Sequence, residues 1–213
     1  MARAMKQLDL PCKGRGGWRP GAGRPKKKNA GVSHLKRPAL AKRYPVHVTL
    51  KVRGDVPNLR TEKRFLAAKK AFRYGCDRFG MRLIEFSVQS NHIHLIVEAN
   101  DRRALSKGMQ GLLIRLAKQI NRVCERSGHV FADRYHEHIL KTPAEVRNAV
   151  HYVKFNGQKH SKLPMEYIDG YSSAWPGAIV WEDGTYVVVA PTTWLLQKEN
   201  ARKTRPSHPP PEA

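Results

Sequence analysis

Two stretches of strict alternation, only a few residues apart, constrain this chain more than anything else in it. Ile84, Phe86 and Val88 alternate with Glu85, Ser87 and Gln89; after the short turn Ser90-Asn91, Ile93, Leu95 and Val97 alternate with His92, His94 and Glu98. Apolar residues at period two mark a strand with one buried face, and two such strands joined by a tight turn mark a hairpin. Val46, Val48, Leu50 and Val52, alternating with His47, Thr49 and Lys51, give an earlier strand. Residues 58–75 read as a helix between them. Leu105, Met109, Leu112, Leu116, Ile120 and Val123 recur at helical spacing, and residues 134–140 suggest a fourth strand. Thr142-Pro143-Ala144-Glu145 is a capping box with Pro at the first helical position. It opens a helix with an apolar stripe at Val146, Ala149, Val150 and Val153, closed by Gly157. The order β-α-β-β-α-β, then a third helix, predicts an α+β fold: a ferredoxin-like or RRM-like antiparallel sheet with two helices on one face. The alternation also predicts one covered and one polar sheet face, the polar one carrying His47, Thr49, His92, His94 and Glu98.

Charge defines the partner. Forty Lys and Arg against seventeen Asp and Glu give a formal net charge of +23, which points to a polyanion. Residues 1–43 hold thirteen of the cations and one acid, Asp9, with many Gly and Pro, and are expected to form a disordered DNA-binding arm. Within it, Gly23-Arg24-Pro25 followed by Lys26, Lys27 and Lys28 resembles an AT-hook, which lays Arg in a narrow A·T minor groove. A plain basic tail that adds phosphate affinity alone explains the same residues equally well. A second basic face is expected on the long helix, from Arg115, Lys118, Arg122 and Arg126. Residues 198–213, which include Pro209-Pro210-Pro211, are expected to be a disordered tail. The N-terminal stretch has no apolar core like that of a secretory signal, and no run approaches the roughly 20 apolar residues that span a bilayer. The three cysteines are far apart without a C-x-x-C pair, against both a disulfide framework and a thiolate zinc site. A cytoplasmic, nucleoid-associated protein is expected.

The histidines give the chemistry. In a strand, positions i and i+2 point the same way, so His92 and His94 can converge on one metal ion or simply decorate a solvated face. His136 and His138 form a rival pair at the same spacing. Tyr152 and Asn156 lie four residues apart on one flank of the last predicted helix. A Tyr hydroxyl is a workable nucleophile at phosphorus, and an Asn amide oxygen is a hard ligand suited to Mg²⁺ or Mn²⁺. Two imidazoles and an amide would leave coordination positions open for phosphate oxygens, whereas structural zinc sites are closed.

Asn91-His92-Ile93-His94 followed by Tyr152-Val153 and Asn156 resembles the HUH single-tyrosine transposases, and more closely the REP-associated tyrosine transposases. Tyr44-Pro45-Val46-His47-Val48-Thr49, Phe131 to His136 and Thr142 to Asn148 add to the likeness, which runs from about Tyr44 to His160. The resemblance implies a transposase domain over 44–160 with an extension over 161–197 packed on it. It implies cleavage and rejoining of single-stranded DNA at hairpins or palindromic repeats, through a 5′-phosphotyrosine intermediate. It assigns Tyr152 as nucleophile and His92, His94 and Asn156 as ligands of Mg²⁺ or Mn²⁺. Many relatives have Gln or a third His where Asn156 stands. His151 and Lys154 are both near enough in sequence to assist proton transfer.

Two other readings compete. A domesticated regulator would keep the fold and bind DNA without chemistry, although His92, His94, Tyr152 and Asn156 are all present. A structural metal protein would use the histidines to brace the sheet. An RNA-recognition domain would place stacking aromatics where His and Thr stand. Ile96 breaks a histidine triad, and Gly-rich phosphate loops are absent from the sequence. Small insertion-sequence transposases exchange tyrosine helices within dimers. Here only two residues separate Leu140 from Pro143, so a monomer with Tyr152 acting in cis is expected, a dimer being the alternative.

Overall fold

A computed structural model of the protein describes residue 35 and residues 37–161 and 168–203. The arm residues Arg24, Lys26, Lys27 and Lys28 lie outside the described residues. The elements run β1 (Val46–Lys51), α1 (Glu62–Arg73), β2 (Asp77–Arg78), β3 (Met81–Val88), β4 (His92–Ala99), α2 (Arg102–Val123), β5 (His136–Ile139), α3 (Pro143–Ser161), α4 (Pro176–Ile179) and α5 (Trp194–Lys203). The five strands form one antiparallel sheet in the order β2-β3-β4-β1-β5. With the two-residue β2 set aside, this is the ferredoxin-like arrangement. Among the described residues no helix is long and apolar enough to cross a membrane.

The larger core lies on one face of the sheet. Val46, Val48, Leu50, Leu83, Phe86, Val88, Ile93, Leu95 and Val97 meet Phe65 and Phe72 of α1 and Leu105, Met109, Leu112, Leu116 and Ile120 of α2. The close approach of α2 to β3 depends on Gly108, where a Cβ would come within 2.7 Å of Met81 Sδ. Val123, assigned to the same stripe by its spacing, is the last residue of α2 and is exposed.

The other face departs from expectation. It is not left open: α3 and α5 cover it, with Val146, Val150 and Val153 of α3 and Leu195 and Leu196 of α5 clustered on Ile84 and Ile96. Ile84 was expected beside Phe86 and Val88, yet a register shift between Leu83 and Glu85 turns it to this second face. An added residue in one strand of a pair reverses the alternation on one side of it. Strict period two therefore misassigns Ile84.

Helix α3 starts as the capping box requires. Thr142 N–H donates to Glu145 Oε2 at 3.1 Å, and Glu145 N–H donates to Thr142 Oγ1 at 3.2 Å. Its end differs, because the helix continues through Gly157 to Ser161. Glycine in a helix interior costs only about 1 kcal/mol relative to alanine, too little to stop a helix.

Two segments flank the sheet. Residues 169–173 run along the outer edge of β3: Val88 N–H bonds Tyr171 O and Ser173 N–H bonds Phe86 O, each at 2.9 Å. Asp169, 1% exposed, pairs with Arg60 at 2.8 Å. Further on, Glu98 accepts from the amides and hydroxyls of Thr192 and Thr193 at 2.7–3.0 Å, just before α5 begins. Helix α5 passes residue 197, where composition placed the start of a tail, and runs to Lys203. At the other end Leu40 is buried in the core, and Arg37 reaches Glu137 at 2.5 Å and lies over the Tyr135 ring. Ordered chain thus begins before Tyr44, since Leu40 has apolar partners in the core and Arg37 an ionic partner on β5.

Candidate active site

The central strands carry the site. His92 opens β4 and His94 follows two residues later, with β1 pairing beside them so that Lys51 faces His92 and Thr49 faces His94. Because directly opposed residues in an antiparallel pair project to the same face, Thr49 and His94 are side-by-side neighbours. The His92 and His94 rings meet edge to face with centroids 4.7 Å apart. His94 is buried at 5% exposure, whereas His92 is half-buried at the strand end.

Each imidazole is held through Nδ1. His92 Nδ1 is 2.8 Å from Asn91 Oδ1. His94 Nδ1 lies 3.2 Å from Thr49 Oγ1 and 3.2 Å from His47 Nε2. When Nδ1 carries the proton in such a bond, Nε2 is the nitrogen that offers a lone pair. Both histidines then present the same atom to a ligand.

Helix α3 supplies the remaining groups. Val146, Val150 and Val153 seat it on Ile84 and Ile96. This brings the half-buried Tyr152 ring to 5.0 Å from the His94 ring, edge to face, and to 6.0 Å from that of His47. Asn156 lies one turn further along and is 1% exposed. Neither its amide nitrogen nor its amide oxygen has a hydrogen-bond partner among the described residues. A buried amide with both ends unpaired is uncommon and suits a missing ligand. The donor set His92, His94 and Asn156 therefore fits a divalent cation with mixed nitrogen and oxygen preference. Among the described residues, no group of three or more His, Cys, Asp or Glu side chains is placed to hold a metal.

His47 is the residue that sequence reasoning overlooked. Alternation placed it on the polar face, but nothing local connects it to His94, 47 positions away in the chain. Its pKa is pushed down to about 4, chiefly by burial and then by His138 and His136. His138 and His136, the rival pair, face His47 and Thr49 across the β1–β5 ladder and are exposed. They extend the polar strip towards the sheet edge and do not join His92. Of the two candidates for proton transfer, Lys154 is bound to Glu85 Oε1 at 2.6 Å, and His151 stacks against Phe155 with ring centroids 4.9 Å apart.

The expected basic helix face is only partly there. Lys118 and Arg122 are exposed on α2, and Arg115 folds back to bond Gly111 O at 3.0 Å. Arg126 is not on the helix. The chain turns at Glu125, with φ of 50°, and the Arg126 guanidinium is taken up by Asp55 at 2.9 Å and Asn121 at 3.0 Å. Moreover, α2 packs on the sheet face opposite to Tyr152. These cations and the histidines lie on different sides of the sheet.

The family described as "Transposase IS200 like" matches residues 42–156, more than half of the chain. Among solved structures, a REP-associated tyrosine transposase bound to a REP hairpin matches with a TM-score of 0.54 at 17% identity, covering 76% of this chain and 93% of the other. At that identity the likeness concerns the fold. A candidate transposase from Deinococcus radiodurans gives a TM-score of 0.40 at 12% identity, covering 55% of this chain and 91% of the other. A bacterial tRNA(His) guanylyltransferase-like protein in complex with GTP gives 0.38 at 16% identity, covering 59% and 67%. Neither of these two similarities bears on function. No curated protein sequence matches the chain.

Proposed function

Because this chain belongs to the family of IS200-like transposases, we propose that it is a metal-dependent strand-transferase that cleaves and rejoins single-stranded DNA beside hairpins. The observation that carries this reading is the placement of the Tyr152 ring 5.0 Å from buried His94, on the helix that also buries the unpaired amide of Asn156. A packing tyrosine needs no such neighbours.

In this mechanism His92, His94 and Asn156 hold a divalent ion, Mg²⁺ or Mn²⁺. When bound, the ion polarises the scissile phosphate and offsets charge on its oxygens. Tyr152 Oη loses its proton and attacks phosphorus, forming the phosphotyrosine bond at the 5′ side. The bond from phosphorus to the 3′ oxygen breaks, and that oxygen leaves as a hydroxyl after taking up a proton. Attack by the 3′-hydroxyl of another strand reverses these events, so rejoining requires no nucleotide cofactor. Lys154 is committed to Glu85, which makes it a support for α3 more than a proton carrier. The hairpin preference rests on likeness to the REP-associated transposase, which is bound to a REP hairpin.

Packing of α3 on the sheet of its own chain supports catalysis by a monomer in cis. The test is incubation of the full chain with hairpin-bearing single-stranded DNA and Mn²⁺, followed by denaturing electrophoresis. A covalent protein–DNA adduct is expected from the wild type and none from Tyr152→Phe. An adduct from Tyr152→Phe would overturn the assignment of the nucleophile. Activity recovered by mixing His92→Ala with Tyr152→Phe would overturn the cis arrangement.

A further inference from the structure

We propose that His47 and Thr49 are positioning residues, jointly fixing the His94 imidazole in the tautomer that offers Nε2 to the divalent cation. This inference rests on the metal-site reading above and extends it to a strand that carries none of the ligands.

The geometry is specific. Thr49 is the cross-strand partner of His94, and His47 is two residues earlier on the same face of β1. Both contact one atom, His94 Nδ1, at the same distance of 3.2 Å. A neutral imidazole has one N–H, so Nε2 can hold a metal only when the proton resides on Nδ1. A proton on Nδ1 is favoured by acceptors beside it, and two are present: a Thr49 hydroxyl lone pair and the His47 Nε2 lone pair. Metal-binding histidines characteristically donate their other N–H to such a group, which orients the ring and raises its basicity. His92 uses the same device with a different carrier, the neighbouring Asn91 side chain at 2.8 Å. His94 is buried in mid-strand, and Thr49 and His47 of β1 both lie at its Nδ1. His47 also lies 6.0 Å from the Tyr152 ring, so it borders both a proposed ligand and the proposed nucleophile.

Packing alone does not account for this pair. On a sheet face beneath a helix, valine would fill the Thr49 site without a hydroxyl to desolvate. The choice of oxygen and nitrogen, both aimed at one imidazole atom, is explained by the proton they hold in place.

The test measures Mn²⁺ binding to the full-length chain by calorimetry, without DNA. The variants are Thr49→Val, which is nearly isosteric, His47→Ala, the two combined, and the conservative Thr49→Ser and His47→Gln. Loss of an outer-shell partner typically weakens metal affinity by roughly 10- to 100-fold. That range is expected for the double variant, with smaller losses for each single change and near-normal binding for Thr49→Ser. Long-range ¹H–¹⁵N spectra of the metal-free protein should show His94 protonated at Nδ1 in the wild type and tautomerically mixed in the double variant. His92→Ala and His94→Ala serve as references. Should they abolish Mn²⁺ binding while the double variant binds like wild type with an unchanged His94 spectrum, the positioning role is overturned. Should they leave Mn²⁺ binding unchanged, the metal site itself is wrong, and this inference falls with it. If His47→Ala fails to fold, Thr49→Val and His47→Gln decide the question by the same two readouts.

Discussion

Replacing Asn156 by leucine should stabilise the protein while destroying the proposed metal site. Asn156 is 1% exposed, and both amide atoms lack hydrogen-bond partners among the described residues. A buried polar group left unsatisfied costs about 1–3 kcal/mol. Leucine has the same number of side-chain heavy atoms in the same branched arrangement and nothing to desolvate, so Asn156→Leu should recover roughly that amount. For a chain of this size each 1 kcal/mol moves Tm by about 2–4 °C, so the melting temperature in chelator should rise by about 2–12 °C. With Mn²⁺ the order should change. A ligand present at a hundredfold excess over its Kd adds about 2.7 kcal/mol to the state that binds it. The wild type should gain this increment and the variant should not. Scanning calorimetry of both proteins, with EDTA and with Mn²⁺, makes the comparison. A variant less stable than wild type in EDTA would refute the reasoning, because it would mean that protein groups already satisfy the amide. Equal stabilisation of both proteins by Mn²⁺ would remove Asn156 from the ligand set.

Three further outcomes follow from the same structure. His47 has its pKa lowered from the ordinary 6.5 to about 4 by burial, with His138 and His136 adding to it. The unfolded chain therefore takes up a proton below pH 6.5 that the folded chain refuses until about pH 4, so stability falls as pH drops through that window. The loss is at most about 3 kcal/mol, and chemical denaturation of His47→Gln should show a flatter profile. Glu98, 3% exposed, ties Arg82, Thr192 and Thr193 together, and its loss removes the nearer carboxylate of a partly buried guanidinium and the acceptor of both threonines. Glu98→Ala should cost about 3–5 kcal/mol by urea titration and raise hydrogen exchange first in α5. Removing residues 1–36, which spares Arg37 and Leu40, deletes ten cations and one anion. DNA binding should weaken roughly tenfold or more near physiological salt, with a shallower salt slope, while the phosphotyrosine adduct still forms at saturating DNA. Equal losses on A·T-rich and G·C-rich flanks would favour a plain electrostatic tail over a minor-groove contact by Arg24.

Most of the strand and helix order was legible because it depends on short-range periodicity. Ile93, Leu95 and Val97 declare a buried face by themselves, and Thr142 with Glu145 declares a helix start through bonds spanning three residues. Most of the failures depend on contacts between elements. The reversal of Ile84 needs knowledge of the register between β3 and β4. Covering of the polar face depends on α3 and α5 arriving from distant parts of the chain. Arg126 was placed on a helix face because spacing does not register the turn at Glu125. Within the candidate site, the proposed set His92, His94, Tyr152 and Asn156 comes from strand and helix geometry together with a family resemblance. His47 was not legible, since its connection to His94 exists only across the β1–β4 ladder.

The packing of α3 supports the proposal that one chain delivers its own nucleophile. Three constraints act on this helix. The capping box fixes where it begins, two residues after Leu140 leaves the sheet. The stripe of Val146, Val150 and Val153 fixes which side faces Ile84 and Ile96. The third constraint is its roll about the axis. Lys154 reaches Glu85 on β3 at 2.6 Å, and its carbonyl accepts from Ser172 Oγ at 2.9 Å. Ser173 Oγ binds the same Glu85 carboxylate at 2.5 Å, so the anchor includes the segment along the sheet edge. Residues two apart on a helix lie about 200° apart around its axis. Gripping Lys154 towards β3 therefore turns Tyr152 towards β4 and β1, where His94 and His47 lie. Asn156, four residues after Tyr152, follows onto the same flank. A helix fixed in start, face and roll by residues of its own chain has no need of a partner's sheet. Exchange between subunits would have to break the buried Lys154–Glu85 pair and re-form it across the dimer.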